Sequence, residues 1–313
     1  VHLWKMGALQ SDDDRWPKTV SRPLQILPSD TGCDNAIRLS VPVWLYDMHN
    51  GRDYNNDWQT MLQPSNLYIR VNRLKIDCYS LNTYFQAKGV ATTLLSNDAI
   101  RIGRLYQLTS DEWYKKGGFE IQDIASQQVV PAMQIKPGMQ VLDACAGNGG
   151  KSLHMASLMN NQGRIVSTDV RKEALAELRH RAERAGATNI VTAVVDNDFI
   201  NMHNQAFDRI LMDVPCSGLG TLRHKPELKW KLEPEHLQSL ILRQREIIQK
   251  YLPMLKPTGS WVYSTCSILE AENEEQVDWI LKHYSSFNID FIRRISPSEG
   301  GDGFFITRFS QTA

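Results

Sequence analysis

The sequence predicts an α/β fold: a mostly parallel sheet with helices on both faces, preceded by a small α/β unit. Three observations carry this. From Met139 onward, apolar strand-like runs alternate with helical periodicity, the pattern of consecutive βαβ units. A glycine-rich turn stands between the first of those runs and the helix that follows it. At Pro64 the texture changes from irregular, proline-bearing sequence to short alternating elements. The 313 residues exceed the usual size of one domain. The divisions drawn are an N-terminal arm with short helices over 1–63, a small α/β unit over 64–130 and the larger sheet over 131–313.

The arm carries Asp12-Asp13-Asp14, several prolines and the scattered Trp4, Trp16 and Trp44, with a short helix or two toward its end. In the small unit, 67–72 reads as a strand and 80–88 as a helix stopped by Gly89, with further short strands near 99–102 and 105–108. In the larger unit, 141–143 is an apolar strand running into the glycine turn and a helix from Lys151. The second strand is 164–168, and the helix over 172–185 is stopped by Gly186, the residue type that takes a left-handed C-cap without penalty. Strands at 189–195 and 207–212 follow, then a long helix over 235–255 ending at Pro257. A fifth strand at 261–264, a helix over 272–283 and two last strands at 287–292 and 304–309 complete the set.

A hydrophobic share of 42% with 22% charged residues is ordinary for a globular protein. No apolar run approaches the ~18–20 residues of a membrane span, and no charged-then-apolar leader opens the chain, so neither a membrane nor a secreted location is expected. Cys33, Cys78, Cys145, Cys216 and Cys266 are an odd number with no Cys-x-x-Cys pair. That argues against a disulfide framework and a structural metal site, and for a reducing, cytoplasmic setting. The zero net charge is unlike a typical nucleic-acid binder, but a local basic face suffices. The stretch 222–250 carries Arg223, Lys225, Lys229, Lys231, Arg243, Arg245 and Lys250 against Glu227, Glu233, Glu235 and Glu246. On charge alone a solvated helix face is the commoner meaning of such a run.

The turn Cys145-Ala146-Gly147-Asn148-Gly149-Gly150-Lys151 lies at the carboxyl end of a strand, where α/β sheets bind ligands. A phosphate loop would need glycine at Cys145, and a dinucleotide fingerprint starting at Gly147 would need it at Ser152, so neither fits. Asp169 ends the second strand, where a carboxylate accepts from ribose hydroxyls, and Asp196 ends the third, within reach of an adenine amino group. With Asp213 they outline one crevice. Singly, each aspartate is more often a cap or turn residue; together with the glycine turn they favour an adenosyl ligand.

Asp213-Val214-Pro215-Cys216-Ser217-Gly218 follows the fourth strand and Ser264-Thr265-Cys266-Ser267 the fifth. If those strands are neighbours, both thiols lie at one edge of the crevice. Either cysteine alone is better explained as inert packing. Two of them just past strand ends, among Ser, Thr and Gly, point instead to an active site.

These segments, with Lys229-Trp230 and the closing Asp302-Gly303-Phe304-Phe305, resemble the Sun (Fmu) and nucleolar-protein family of S-adenosylmethionine-dependent RNA (cytosine-5)-methyltransferases. The resemblance runs from about Pro64 to the end. It implies a Rossmann-like methyltransferase sheet preceded by an RNA-recognition-like domain carrying 67–72 and Gln122-Asp123-Ile124-Ala125-Ser126. It also implies S-adenosylmethionine as cofactor, with the methionine end on the Cys145–Lys151 turn, ribose on Asp169, adenine on Asp196, and Asp213 between cofactor and base. The implied substrate is RNA, ribosomal first and transfer RNA second, with no metal, no membrane and a monomeric enzyme.

The chemistry explains the set. Carbon 5 of cytosine is too weak a nucleophile to take a methyl group unaided; a thiolate adding to carbon 6 activates it. Asp213 can hydrogen-bond the base, and a base must later remove the carbon-5 proton so that the thiolate leaves. The resemblance assigns Cys266 as nucleophile and Cys216 as helper in release; the Pro-Cys pair of DNA cytosine methyltransferases would point to Cys216 instead. RNA is expected on the 222–250 stretch together with Arg70 and Arg73. The turn departs from the family's Ala-Pro-Gly, reading Gly147-Asn148-Gly149 here. The arm is too short for the helical RNA-binding domain that many bacterial members carry ahead of the small one. Two alternatives compete: a non-catalytic RNA-binding protein that keeps the fold, which would be free to lose both cysteines, and a small-molecule methyltransferase, which would need neither the second cysteine nor the small unit.

Overall fold

The structure is a computed structural model, and it describes residues 31–48, 54–103 and 106–311. Expectations for residues 1–30 and for Leu105 lie outside the described residues.

The larger sheet has seven strands: β5 (Gln140–Asp143), β6 (Arg164–Thr168), β7 (Ile190–Ala193), β8 (Phe207–Asp213), β9 (Leu255–Thr265), β10 (Phe287–Ile295) and β11 (Phe304–Gln311). Their order is β10-β11-β9-β8-β5-β6-β7. All pairs from β9 to β7 are parallel, and β11 enters antiparallel between β9 and β10. Chain order reverses between β5 and β8, and at such a switch point the carboxyl ends of strands open into a crevice.

Alternation along each strand decides the two cores. Leu142, Ile210, Met212, Trp261 and Tyr263 face the helices Pro234–Tyr251 and Glu274–His283, meeting Ile247, Ile248, Val277 and Ile280. Val141, Leu211 and Val262 face the other side, against Leu153 and Met155 of the helix Gly150–Leu158 and Leu178 and Ala182 of Lys172–Ala185. Every central strand is buried on both faces, which is why it reads as a continuous apolar run.

The small unit is an antiparallel sheet of β1 (Leu67–Val71), β2 (Thr92–Leu94), β3 (Ala99–Ile102) and β4 (Phe119–Ile121) in the order β2-β3-β1-β4. It packs on the helix Cys78–Ala87 through Leu81 and Phe85. Two expectations need correction here. Leu108 opens a single 3-10 turn, Leu108–Ser110, rather than closing a strand, and the remaining strands are β2 and β4, too short for alternation to reveal. The short helices Thr31–Arg38, Val43–Tyr46 and Asn55–Met61 precede this unit and pack on Leu219, Leu222 and Leu237 of the larger one.

The long helix also ends sooner than expected, at Tyr251. Pro253 stops it by lacking an amide hydrogen and crowding the preceding turn. Pro257 lies inside β9, which is correspondingly longer than the apolar run at its centre. The third strand is shorter than expected, because Asp196 already begins a helix, Asn197–Met202.

Candidate active site

Asp143 ends β5 and the chain turns through Gly147 (φ 52°) and Gly149 (φ 84°), both in the left-handed region that a glycine enters freely. Gly149 caps the helix Gly150–Leu158, and a Cβ there would sit 2.4 Å from Leu178 Cγ. The turn is tied to the second strand: the Gly147 amide donates to Asp169 Oδ2 at 2.8 Å, and the Arg171 amide to Asp169 Oδ1 at 2.9 Å.

Beside the turn is a cavity of about 140 Å³ lined by Asp143, Cys145, Ala146, Gly150, Lys151 and Asp213, with Gln122 and Ser126 from the small unit. Lys151 Nζ lies 2.5 Å from Asp213 Oδ2, and Ser264 donates to Asp213 Oδ1 at 2.7 Å. Burial opposes the Lys151 ammonium, but the Asp213 carboxylate outweighs it and the pKa rises. Asp143 accepts from Ser152 at 2.6 Å and is pushed up to about 7, by burial first and then by the charge of Asp213. Burial likewise raises the Cys145 thiol, with Asp143 and Asp213 adding to it. Asp169 and Asp196 do not line this cavity; Asp196 is exposed and caps its helix, accepting from the Phe199 amide at 2.8 Å.

The parallel register places Asp213 opposite Ser264, so the loops after β8 and β9 leave side by side. Cys216 Sγ and Cys266 Sγ are 3.4 Å apart. Cys216 is raised well above the ordinary thiol range, first by its hydrogen bond with Cys266 and then by burial.

What secures the two loops was not legible in the sequence. Glu272, fully buried, accepts from the Ser217 amide at 2.8 Å, the Ser217 hydroxyl at 2.5 Å and Gln244 at 3.1 Å. Asn273 accepts from Thr265 at 2.5 Å and donates to the Ser267 carbonyl at 3.0 Å. Both sit where a helix start was expected, and only their polarity at a buried place could have marked them.

Arg70 is not free for RNA, whereas Arg73 stays exposed. Arg70 is 1% exposed and turned inward, bonding Gln122 and the Gly150 carbonyl (2.7 Å), while Arg73 pairs with Asp98 at 3.1 Å. In the basic stretch, Arg243 pairs with Glu246 at 2.9 Å, Lys231 faces Glu227 at 3.9 Å, and Arg245 lies on the Trp279 ring. Local partners thus absorb much of that charge.

A seven-stranded sheet with one reversed strand, a glycine turn at its switch point and a pocket on that turn defines a Rossmann-like methyltransferase. A methyltransferase homolog from Pyrococcus horikoshii superimposes with a TM-score of 0.80 at 27% identity, over 91% of this chain and 100% of that one. Residues 130–310 match the family described as 16S rRNA methyltransferase RsmB/F, and the chain belongs to that family. Similar proteins include the probable ribosomal RNA small subunit methyltransferase B of Bacillus subtilis, 33% identical over 87% of this chain. The ribosomal RNA small subunit methyltransferase B of Photorhabdus laumondii is 30% identical over 86%. The chain spans 66% of the length of each of these two relatives. Among the described residues no helix is long and apolar enough to cross a membrane.

Proposed function

We propose that the protein methylates carbon 5 of a cytosine in RNA, ribosomal RNA first, through a covalent adduct with Cys266. The observation that carries this reading is the pair of thiols 3.4 Å apart beside the Lys151–Asp213 pair. The residues fit S-adenosylmethionine: left-handed glycines keep the turn's backbone open to close approach, and carboxylates stand at two neighbouring strand ends. When bound, the cofactor supplies an electrophilic methyl group. The turn from Cys145 to Lys151 would hold its methionine end, Asp169 its ribose and Asp196 its adenine.

The chain's own residues do the rest. Cys266 adds as thiolate to carbon 6 of the base, and the electron pair of the carbon 5–carbon 6 double bond moves toward carbon 5 and the ring carbonyl. Asp213, its charge anchored by Lys151 and Ser264, faces the base and hydrogen-bonds its exocyclic amine. After methylation a base takes the carbon-5 proton, the electron pair of that C–H bond restores the double bond, and the carbon 6–sulfur bond breaks to release the Cys266 thiolate; Cys216, as thiolate, is the group placed to take that proton. Residues 64–130 serve as an RNA-binding unit that also closes the pocket through Gln122 and Ser126.

Methyl transfer from tritiated cofactor to transcribed small-subunit RNA, followed by denaturing electrophoresis, tests this. Cys266→Ala should abolish transfer and form no adduct. Cys216→Ala should slow turnover at least ~10²-fold, the scale of a lost proton-transfer group, and accumulate a protein–RNA species that survives denaturation. A trapped species with Cys266→Ala instead would reverse the roles; none from either variant would overturn the covalent mechanism.

A further inference from the structure

A second cavity, about 260 Å³, lies where the short N-terminal helices meet the loop that follows Cys216. Trp58, Met61 and Pro64 form one wall, Arg223, Pro226 and Lys229 the other, and no acidic residue lines it. Lys229 is 6% exposed. Among the described residues it has no hydrogen bond or ion pair, and burial alone pulls its pKa down, with no carboxylate opposing. The Arg223 guanidinium is held by the carbonyls of Thr60 (3.3 Å), Gly300 (3.1 Å) and Pro297 (2.7 Å), with no carboxylate in ion-pair contact among the described residues.

A lysine whose stem is covered and whose half-buried ammonium lines a cavity without an acidic residue is not explained by packing alone, since lysines are seldom covered unless paired. The chain keeps one here, beside a second cation and an apolar wall containing an indole ring. We infer that this cavity is a nucleotide subsite: Lys229 takes a phosphodiester oxygen of the RNA, and the wall of Trp58, Met61 and Pro64 takes the adjoining base or ribose. The inference rests on the reading of RNA as substrate. The lining residues Leu222 and Arg223 belong to the same loop as Cys216 and Gly218, and the Gly220 amide bonds the Cys266 carbonyl at 2.9 Å. The nucleotide held here therefore flanks the target cytosine.

The test compares wild type, Lys229→Met and Lys229→Arg by titration with a fluorescein-labelled fragment of small-subunit rRNA over a range of salt. Thermal midpoint without RNA and binding of S-adenosylhomocysteine are measured alongside. Lys229→Met should weaken RNA binding about tenfold and lower the salt slope by about one phosphate contact. It should also raise the thermal midpoint and leave S-adenosylhomocysteine binding unchanged, while Lys229→Arg keeps RNA affinity. A merely structural lysine gives the opposite pattern, a lower midpoint with unchanged RNA affinity, and that result overturns the subsite. Wild type that methylates RNA with no difference in Lys229→Met also overturns it, leaving the functional reading intact. Wild type that neither binds nor methylates any RNA removes both.

Discussion

Asp169 holds the glycine turn through its carboxylate, and the proposed ribose contact would fall on the same group. Its two oxygens already accept from the amides of Gly147 and Arg171, so the charge is anchored before any ligand arrives. Oδ1 also takes the Arg171 Nε at 3.2 Å, which leaves Oδ2 with a second lone pair for a hydroxyl. Removing the side chain therefore removes both the proposed ribose contact and the pin on the glycine turn. Asp169→Ala should weaken S-adenosylhomocysteine binding by at least ~1.5 kcal/mol, the scale of charge-assisted hydrogen bonds. Calorimetry checks it, and unchanged affinity would remove Asp169 from the ribose role. The fully buried Glu272 works at the same scale: three donors converge on it, and its contribution is to keep Ser217, and hence the Cys216 loop, in one place.

At the scale of elements, the strand–turn–helix unit from β5 to the helix Gly150–Leu158 depends on close approach to its neighbour helix. Gly149 meets Leu178 of Lys172–Ala185 so tightly that a Cβ would need Leu178 to move, and its φ of 84° is strained for any other residue. Gly149→Ala combines a left-handed backbone penalty of ~1–2 kcal/mol with overpacking of ~1–3 kcal/mol. Chemical denaturation should show a loss of about 2 kcal/mol or more, and cofactor affinity should fall further than stability alone explains, because the turn itself shifts. Gly147, where a Cβ would meet only the Arg171 side chain at 3.6 Å, should tolerate alanine better despite its φ of 52°.

At the scale of the molecule, the small unit is bonded into the larger one rather than tethered beside it. Glu120 of β4 takes Arg181 at 2.7 Å and Arg184 at 2.6 Å, and Asn72 donates to the carbonyls of Gly117 and Ala185 at 2.8 Å each. His154, from the helix after the glycine turn, faces Asp98 of the small unit at 3.4 Å. Burial, then the charge of Arg70, pulls His154 down to about 4. Between pH 6.5 and 4 the unfolded chain binds a proton there and the folded chain does not, so its contribution to stability is lost as pH falls through that window. Thermal midpoints between pH 7 and 4 should drop less steeply in His154→Gln than in wild type. Equal slopes would show that His154 takes up its proton alike in the folded and unfolded chain.

Much of this protein was legible in its sequence. The alternation of apolar runs and helices located the strands of the larger sheet, most clearly the central ones, because strands buried on both faces must be apolar throughout, and Gly186 marked the end of its helix in the left-handed conformation that its residue type allows. The two cysteine loops were visible for the opposite reason, as polar, reactive sequence where packing would call for apolar residues. Strands of three residues were not legible, since β2 and β4 are too short to carry a period. Nor was the fate of the charges. Arg70 reads as a surface cation and lies buried on the Gly150 carbonyl, while Lys229 reads as one of seven basic residues and is nearly covered, with no partner among the described residues. Burial of a long polar side chain depends on what the rest of the chain brings over it. Only the tertiary structure decided that the thiols meet at 3.4 Å, because that distance is set by the pairing of β8 with β9, two strands that more than forty residues of helix and loop separate.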